Sequence, residues 1–328
     1  MTVRFIDLFC GIGGFRIGAE QALQSRGITS QCVFSSDIDR DAQNAYEANF
    51  GERPAGDIKP IQEQSIPDHD LLLAGFPCQP FSIMGDAKGF EDTRGTLFFD
   101  IARILKEKQP SAFVLENVKQ LASHDEGRTL SRILETIDGL GYTHSHRVLN
   151  ALNFGLPQKR ERIIIVGFRE KIAVGWPLAP VPMTPLSELL ETDIPQQYYA
   201  SEHIKNRRFE QCQPTDEPTI WHENKAGHIS AYPYSCALRA GASYNYLLVN
   251  GERRLTPREM LRLQGFPDSY RIVCNPSQIR KQAGNAVPVP MVRAVVERVI
   301  DALEWDARPA YQLNSRKKQY EFAVEKKR

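Results

Sequence analysis

The sequence predicts an α/β fold: a doubly wound sheet joined to a smaller, irregular, mainly β domain. Three observations predict it. Short apolar runs at residues 3–9, 71–75 and 112–115 alternate with stretches in helical rhythm at 16–24, 40–49 and 97–108. Several of the apolar runs end in a turn that carries glycine, a carboxylate or a cysteine, as strand ends in open α/β sheets do. After Trp176 the composition changes, with prolines at 177, 180, 182, 185 and 195 and no sustained periodicity.

The first run, residues 3–9, is a short strand followed by Gly11-Ile12-Gly13-Gly14-Phe15 and a helix over 16–24. Strand, glycine turn and helix bring backbone N–H groups close to a nucleotide-like cofactor, or form a purely structural turn. The dinucleotide pattern GxGxxG is not met, because its third glycine falls at Arg16. Residues 31–36 form a second strand ending in Asp37-Ile38-Asp39. An acid at that tip suits a ribose diol, while Asp39 alternatively caps the helix over 40–49. Gly56-Asp57-Ile58 places a further carboxylate where a third strand is expected to end; Asp57 either meets an adenine amino group or forms a turn.

The run 71–75 continues into Phe76-Pro77-Cys78-Gln79-Pro80-Phe81-Ser82. Pro77 fixes its own φ and pushes Phe76 to extended geometry, so Cys78 leaves a strand end at a defined angle. Cys78 is either a nucleophile or a small apolar filler. Residues 82–96, rich in Gly, Asp, Lys and Arg, have the length of a functional loop. A helix over 97–108 leads to what counts as a fifth strand at 112–115, ending in Glu116-Asn117-Val118. If that strand neighbours the Cys78 strand, two reactive groups converge, the pattern of a site rather than of a surface acid.

A helix over 129–140, a strand over 144–149 and the basic turn Gln158-Lys159-Arg160-Glu161-Arg162 follow, feeding the apolar strand 163–168. The boundary after 185 opens a segment, 186–274, that mixes aromatic and basic residues in the manner of a nucleic-acid reader or of many small β domains. Within it Thr256, Pro257 and Glu259 form a capping box. Residues 275–328 return to helical rhythm, with a last helix over 291–303 and a tail carrying six basic and two acidic residues over 315–328.

Bulk composition excludes several classes. Lys+Arg 41 against Asp+Glu 40 leaves a net charge of +1, so any basic surface is local. Six scattered cysteines form no CxxC or Cys/His cluster, against a zinc site or disulfide framework and for a reducing cytoplasm. No apolar run approaches a membrane span, and the start of the chain reads directly as strand rather than signal peptide.

Taken together, residues 9–14, 75–82, 116–118, 158–162 and 281–287 resemble the motifs of the DNA (cytosine-5)-methyltransferases, in the same order, and residues 89–100 are particularly similar to the HhaI-type bacterial modification enzymes. The resemblance implies a Rossmann-like sheet that binds S-adenosylmethionine, completed by 275–328, with a target-recognition domain and hinge at 186–274. It implies Cys78, Glu116 and Arg162 as the catalytic set. Phe9, the backbone of Gly11, Ile12, Gly13 and Gly14, Asp37 and Asp57 would hold the cofactor, with Ile38, Ile58, Pro77, Leu97, Asn285 and Val287 lining its pocket. The implied substrate is a cytosine flipped out of a short specific sequence in double-stranded DNA, with loop 82–96 closing over it. The expected form is a cytoplasmic monomer of bacterial or phage origin, without a resident metal, whose cognate restriction endonuclease is no physical partner. Two positions depart from the family pattern: Met84 in the loop and Ala237 in place of a threonine in the recognition segment. An RNA cytosine methyltransferase is the alternative of like chemistry. Intact Cys78, Glu116 and Arg162 argue against an inactive DNA-binding relative, the lack of a histidine near a strand end against a cysteine hydrolase, and Arg16 against a nicotinamide dehydrogenase.

Overall fold

The computed structural model describes residues 1–77, 97–177 and 180–305. Cys78, the 82–96 loop with Met84, and the basic tail therefore lie outside the described residues. Strands β1 (Thr2–Leu8), β2 (Thr29–Ser36), β3 (Leu71–Gly75), β4 (Ala112–Val118), β5 (Thr143–Asn150) and β7 (Glu161–Phe168) form a six-stranded sheet in the order β2-β1-β3-β4-β7-β5. A two-residue strand, β6 (Gln158–Lys159), precedes β7. The first four strands are parallel, while β7 runs antiparallel to both β4 and β5. The chain steps outward from β1 to β2, then returns past β1 to β3, so a switch point lies between β1 and β3.

Alternation along β3 shows how both sheet faces are buried. Leu71 and Leu73 join a core with helices α1 (Gly14–Ser25) and α9 (Val289–Leu303). Leu72 and Ala74 face the opposite way, toward α3 (Leu97–Lys108) and α4 (Arg128–Gly139). A strand covered on both faces must be apolar throughout, which is why 71–75 reads as a continuous run rather than an alternating one. The segment leading into the last helix packs against the start of α1, where a Cβ built on Gly14 would lie 2.8 Å from the Val287 carbonyl, and α9 itself packs on Gly18, where a Cβ would lie 2.7 Å from Val292.

One expected strand is absent. Residues 52–57 form no regular element, so the strand before the cysteine is the third and Ala112–Val118 the fourth, not the fifth. Pro54, Gly56 and Pro60 cannot sustain a ladder there. The segment instead trails along the end of β2, with the Ala55 amide donating to Ser35 O at 2.8 Å. Helix α2 (Arg40–Phe50) begins where Asp39 caps it, accepting from the amides of Asp41 and Ala42.

In the 186–274 segment, β8 (Ile220–Glu223), β9 (Ile229–Tyr232) and β11 (Leu247–Val249) form a three-stranded antiparallel sheet, while β10 (Ser235–Cys236) pairs with β6. Short helices α5 (Leu186–Leu189) and α6 (Glu202–Phe209) precede this sheet, and α7 (Pro257–Arg262) and α8 (Pro276–Asn285) follow it. The buried Arg208 donates to the carbonyls of Trp221 and Asn245 and to Glu223, satisfying a cation that burial would otherwise penalise. The capping box at Thr256 and Glu259 is formed, and Glu259 also takes a bidentate pair from Arg253 at 2.8 and 2.9 Å.

Packing across β4 and β7 sets a sharp constraint. A Cβ on Gly167 would lie 2.1 Å from Cζ of Phe113, a fully buried ring. Gly167→Ala is expected to destabilise the chain by about 1–3 kcal/mol, the usual cost of overpacking a dense core. Urea unfolding followed by circular dichroism should show a lower midpoint with an unchanged slope; an unmoved midpoint would refute the constraint.

Candidate active site

The carboxyl ends of β1 to β4 open into one cleft of about 630 Å³, a size suited to a cofactor-sized ligand. Phe9, Gly11, Ile12 and Gly14 line it from the first turn, and Asp37 and Ile38 from the second. Asp57, Ile58, Pro77 and Leu97 line it from the following segments, and Asn285 and Val287 from the end of α8. Gly13 is not in the wall: its Cβ position lies 2.3 Å from the Phe50 ring, so that glycine serves helix packing and the turn's positive φ of 84°.

Asp37 braces the turn. Its Oδ2 accepts from the Gly11 amide and its Oδ1 from the Asp39 amide, both at 2.8 Å. Burial raises its pKa, and these two amides pull the other way. Ile38 beside it is 74% exposed, a large apolar side chain left facing the cleft. Asp57 uses Oδ1 to accept from the Lys59 amide at 3.1 Å, so the turn role is real and one oxygen is not engaged by it. Carboxylate acceptors and an uncovered apolar side chain within one cleft are what an adenosine, with its hydroxyl and amine donors, would need.

At the other end, Gly75 of β3 is paired with Glu116 of β4. The two strands are neighbours, and Pro77 and Glu116 line the same end of the cleft. Arg162, at the start of β7, donates from Nε to Glu116 Oε1 at 2.7 Å. Burial raises the Glu116 pKa, opposed by the charges of Arg162 and Arg160. The surface-acid reading of Glu116 is excluded by its burial and pairing.

Several residues that shape this site lie within the motifs at 116–118, 158–162 and 281–287, but the sequence alone gives them no role. Arg160, wholly buried, donates to the carbonyls of Leu238, Gly284 and Ala286 at 3.0, 2.9 and 2.7 Å. Gln158 reaches Leu263 O at 2.7 Å and accepts from the Leu238 amide at 3.1 Å. Asn117 donates to Phe76 O at 2.8 Å, fixing the backbone that leads to Cys78. Lys281 bonds Asp39 at 2.6 Å across the rim, and holds that carboxyl's pKa low although burial opposes it. Their membership of those motifs flags them, while their partners, far apart in the chain, do not follow from it. Among the described residues no cluster of three metal-ligating side chains occurs, and no helix is long and apolar enough to cross a membrane.

A family model for C-5 cytosine-specific DNA methylases matches residues 3–229 and 209–301. The chain belongs to this family. It is 58% identical over 308 residues to the Type II methyltransferase M.NgoBI of Neisseria gonorrhoeae, covering 92% of this chain and 94% of that protein. It is 54% identical over 310 residues to M.HaeII of Haemophilus aegyptius, covering 94% and 96%. Identity to M.HhaI of Haemophilus parahaemolyticus is 42% over 323 residues, covering 92% and 96%. Among solved structures, S. pombe Dnmt2 methyltransferase superposes with a TM-score of 0.69 at 19% identity, covering 92% of this chain and 99% of that one. The Entamoeba histolytica methyltransferase EhMeth gives 0.70 at 16%, with the same coverage. These two similarities carry the fold. The methylase is thus a DNA (cytosine-5)-methyltransferase with the α/β sheet its family uses for S-adenosylmethionine.

One buried group of the methylase makes a pH prediction. Asp7 on β1 is fully buried and its carboxyl oxygens have no hydrogen-bond partner among the described residues. Burial pushes its pKa well up, against the pull of Arg16. A carboxyl raised in this way contributes its stability fully below the unfolded value of about 3.9 and loses it as the pH climbs toward the folded value. Over the pH range above that unfolded value the wild-type chain should lose stability relative to Asp7→Asn as the pH rises. Chemical denaturation across that range measures the difference, and parallel curves would refute it.

Proposed function

We propose that Cys78, Glu116 and Arg162 act together on a cytosine extruded from a specific duplex DNA sequence, and that the methyl group goes to ring carbon 5. The observation that carries this reading is the Glu116–Arg162 pair at 2.7 Å, set beside the β3 end that leads into Cys78 and opening on the same cleft as Asp37 and Ile38. A thiolate is intrinsically nucleophilic even when only a small fraction is ionised. Addition of the Cys78 sulfur to ring carbon 6 breaks the 5,6 double bond and makes carbon 5 nucleophilic.

Glu116, with its raised pKa, donates a hydrogen bond or proton to ring nitrogen 3 and accepts from the exocyclic amine. Arg162 meets the 2-carbonyl oxygen, stabilising charge that develops as the sulfur adds. S-adenosylmethionine bound in the cleft would supply an electrophilic methyl group to carbon 5, its sulfonium becoming the thioether of the leaving product, S-adenosylhomocysteine. Loss of the carbon 5 proton to water then expels the Cys78 sulfur by β-elimination and restores aromaticity. Asp37 would hold the ribose hydroxyls, with Phe9 and Ile38 against the adenine and Asp57 toward its amino group. Glycines 11–14, Ile12 among them, would approach the methionine part, with Ile58, Pro77, Leu97, Asn285 and Val287 around it.

Flipping the base costs a few kcal/mol, and recognition contacts must repay it. Residues 186–274 are proposed as the recognition domain and hinge, and 1–185 with 275–328 as the catalytic domain, working as a monomer in the cytoplasm. The 58% and 54% identities to Type II methyltransferases support a role protecting host DNA beside a restriction endonuclease.

Incubation with tritiated S-adenosylmethionine is expected to label duplex DNA and not tRNA; the reverse pattern would overturn the substrate. Cys78→Ala should abolish labelling and 5-fluorocytosine duplex should trap a covalent adduct, whereas full activity in that variant would remove the mechanism. Glu116→Gln should lower kcat by about 10² or more, the usual worth of a positioned acid, with Kd for duplex nearly unchanged.

A further inference from the structure

A second cleft, separate from the catalytic one, is walled by Tyr198, Tyr246, Leu255 and Met260 and rimmed by Arg239, Arg254 and Arg280. The guanidinium carbons of Arg254 and Arg280 lie 4.6 and 4.8 Å from the centre of the Tyr244 ring, and that of Arg239 lies 4.8 Å from the Tyr246 ring. Stacking on rings holds the cations in place without neutralising them. Arg280 spends one donor on Ala242 O at 2.9 Å and Arg254 one on Gln197 O. None of the three pairs with a carboxylate among the described residues, whereas their neighbours Arg253 and Arg262 are matched by Glu259 and Asp268.

Three unneutralised, pre-oriented guanidinium groups are costly to hold together unless an anion joins them. Their forked donors match phosphate oxygens, and the net charge of +1 means affinity for a polyanion must come from such local clusters. The cluster also borders the reaction cleft. A Cβ on Gly284 would lie 2.4 Å from the Ala240 amide nitrogen, so the turn after Arg239 packs directly on α8 beside Asn285.

We propose that Arg239, Arg254 and Arg280, arrayed on Tyr244 and Tyr246, form a phosphodiester site that grips the backbone of the DNA next to the target. The proposal rests on duplex DNA being the substrate and adds where its backbone is held. Guanidinium groups fixed by rings and main-chain carbonyls register the duplex and do not read its bases.

The test uses the full chain, no methyl donor and a duplex made only of A·T pairs, which contains no cytosine. Between 50 and 200 mM salt, R254Q/R280Q should reduce the slope of log Kd against log salt by about 2, one per lost phosphate contact. R254K/R280K should keep most of the slope, and R4Q, on the exposed start of β1, should leave it unchanged. An unchanged slope in the glutamine pair, or an equal drop in R4Q, overturns the site while leaving the catalytic reading intact. Should the glutamine pair fail to fold, phenylglyoxal labelling of the wild-type chain decides. Protection of Arg254 and Arg280 by the duplex, with Arg4 unprotected, is the expected result, and equal labelling overturns it. Absence of duplex binding by the wild-type chain overturns both this site and the substrate assignment.

Discussion

The guanidinium of Arg160 holds the working parts of this molecule in register. It is wholly buried and donates to three carbonyls from two distant parts of the chain: Leu238 before the Arg239 turn, and Gly284 and Ala286 on either side of Asn285. Burial depresses its pKa to about 9, so it remains a cation at neutral pH while lacking a directly paired carboxylate. Three carbonyl dipoles disperse its charge. Removing such a group leaves the carbonyls without partners, a cost of about 1–3 kcal/mol for each buried polar group left unmatched. Two residues on, at the start of β7, Arg162 pairs with Glu116, so the position of that pair follows from the buried guanidinium beside it.

The sheet explains why carboxylates of unusual character gather here. Asp7, Asp37 and Glu116 come from β1, the end of β2 and β4, all near one end of the sheet, and burial raises the pKa of each. They are tempered differently. Asp37 accepts two backbone amides, which favours its charged form. Glu116 has Arg162 and, more distantly, Arg160. Asp7 has no hydrogen-bond partner for either oxygen among the described residues, and burial pushes it toward neutrality. One fold thus sets up a carboxylate suited to accepting hydrogen bonds and a carboxyl suited to giving a proton, using burial and neighbours alone.

The neutral total charge conceals a segregated surface. Acidic groups around Asp37, Asp39 and Asp57 rim the larger cleft, and Lys281 bonds across to Asp39. Arg239, Arg254 and Arg280 cluster on the side of the 186–274 segment, on tyrosine rings and without carboxylate partners among the described residues.

Much of this was legible from the chain alone. Glycine at 11 and 14, the apolar run before Pro77, the acid at 116 and the capping box at 256 each follow from local rules: backbone freedom, two-sided burial, strand-end placement and side-chain capping. Local rules also misplace a strand near Asp57, because a carboxylate at regular spacing imitates a strand tip and Pro54 and Gly56 were outweighed by that spacing. What the sequence could not settle is which strand lies beside which. The adjacency of Gly75 and Glu116, the reach of Arg160 to residues 78 and 126 positions away, and the stacking of Arg254 and Arg280 on one ring depend on contacts far apart in the chain. Periodicity and turn chemistry act over a few residues, so the chain determined most of its elements and the motifs at their ends. Only packing, which joins elements through buried hydrogen bonds and shared apolar faces, decided how they meet.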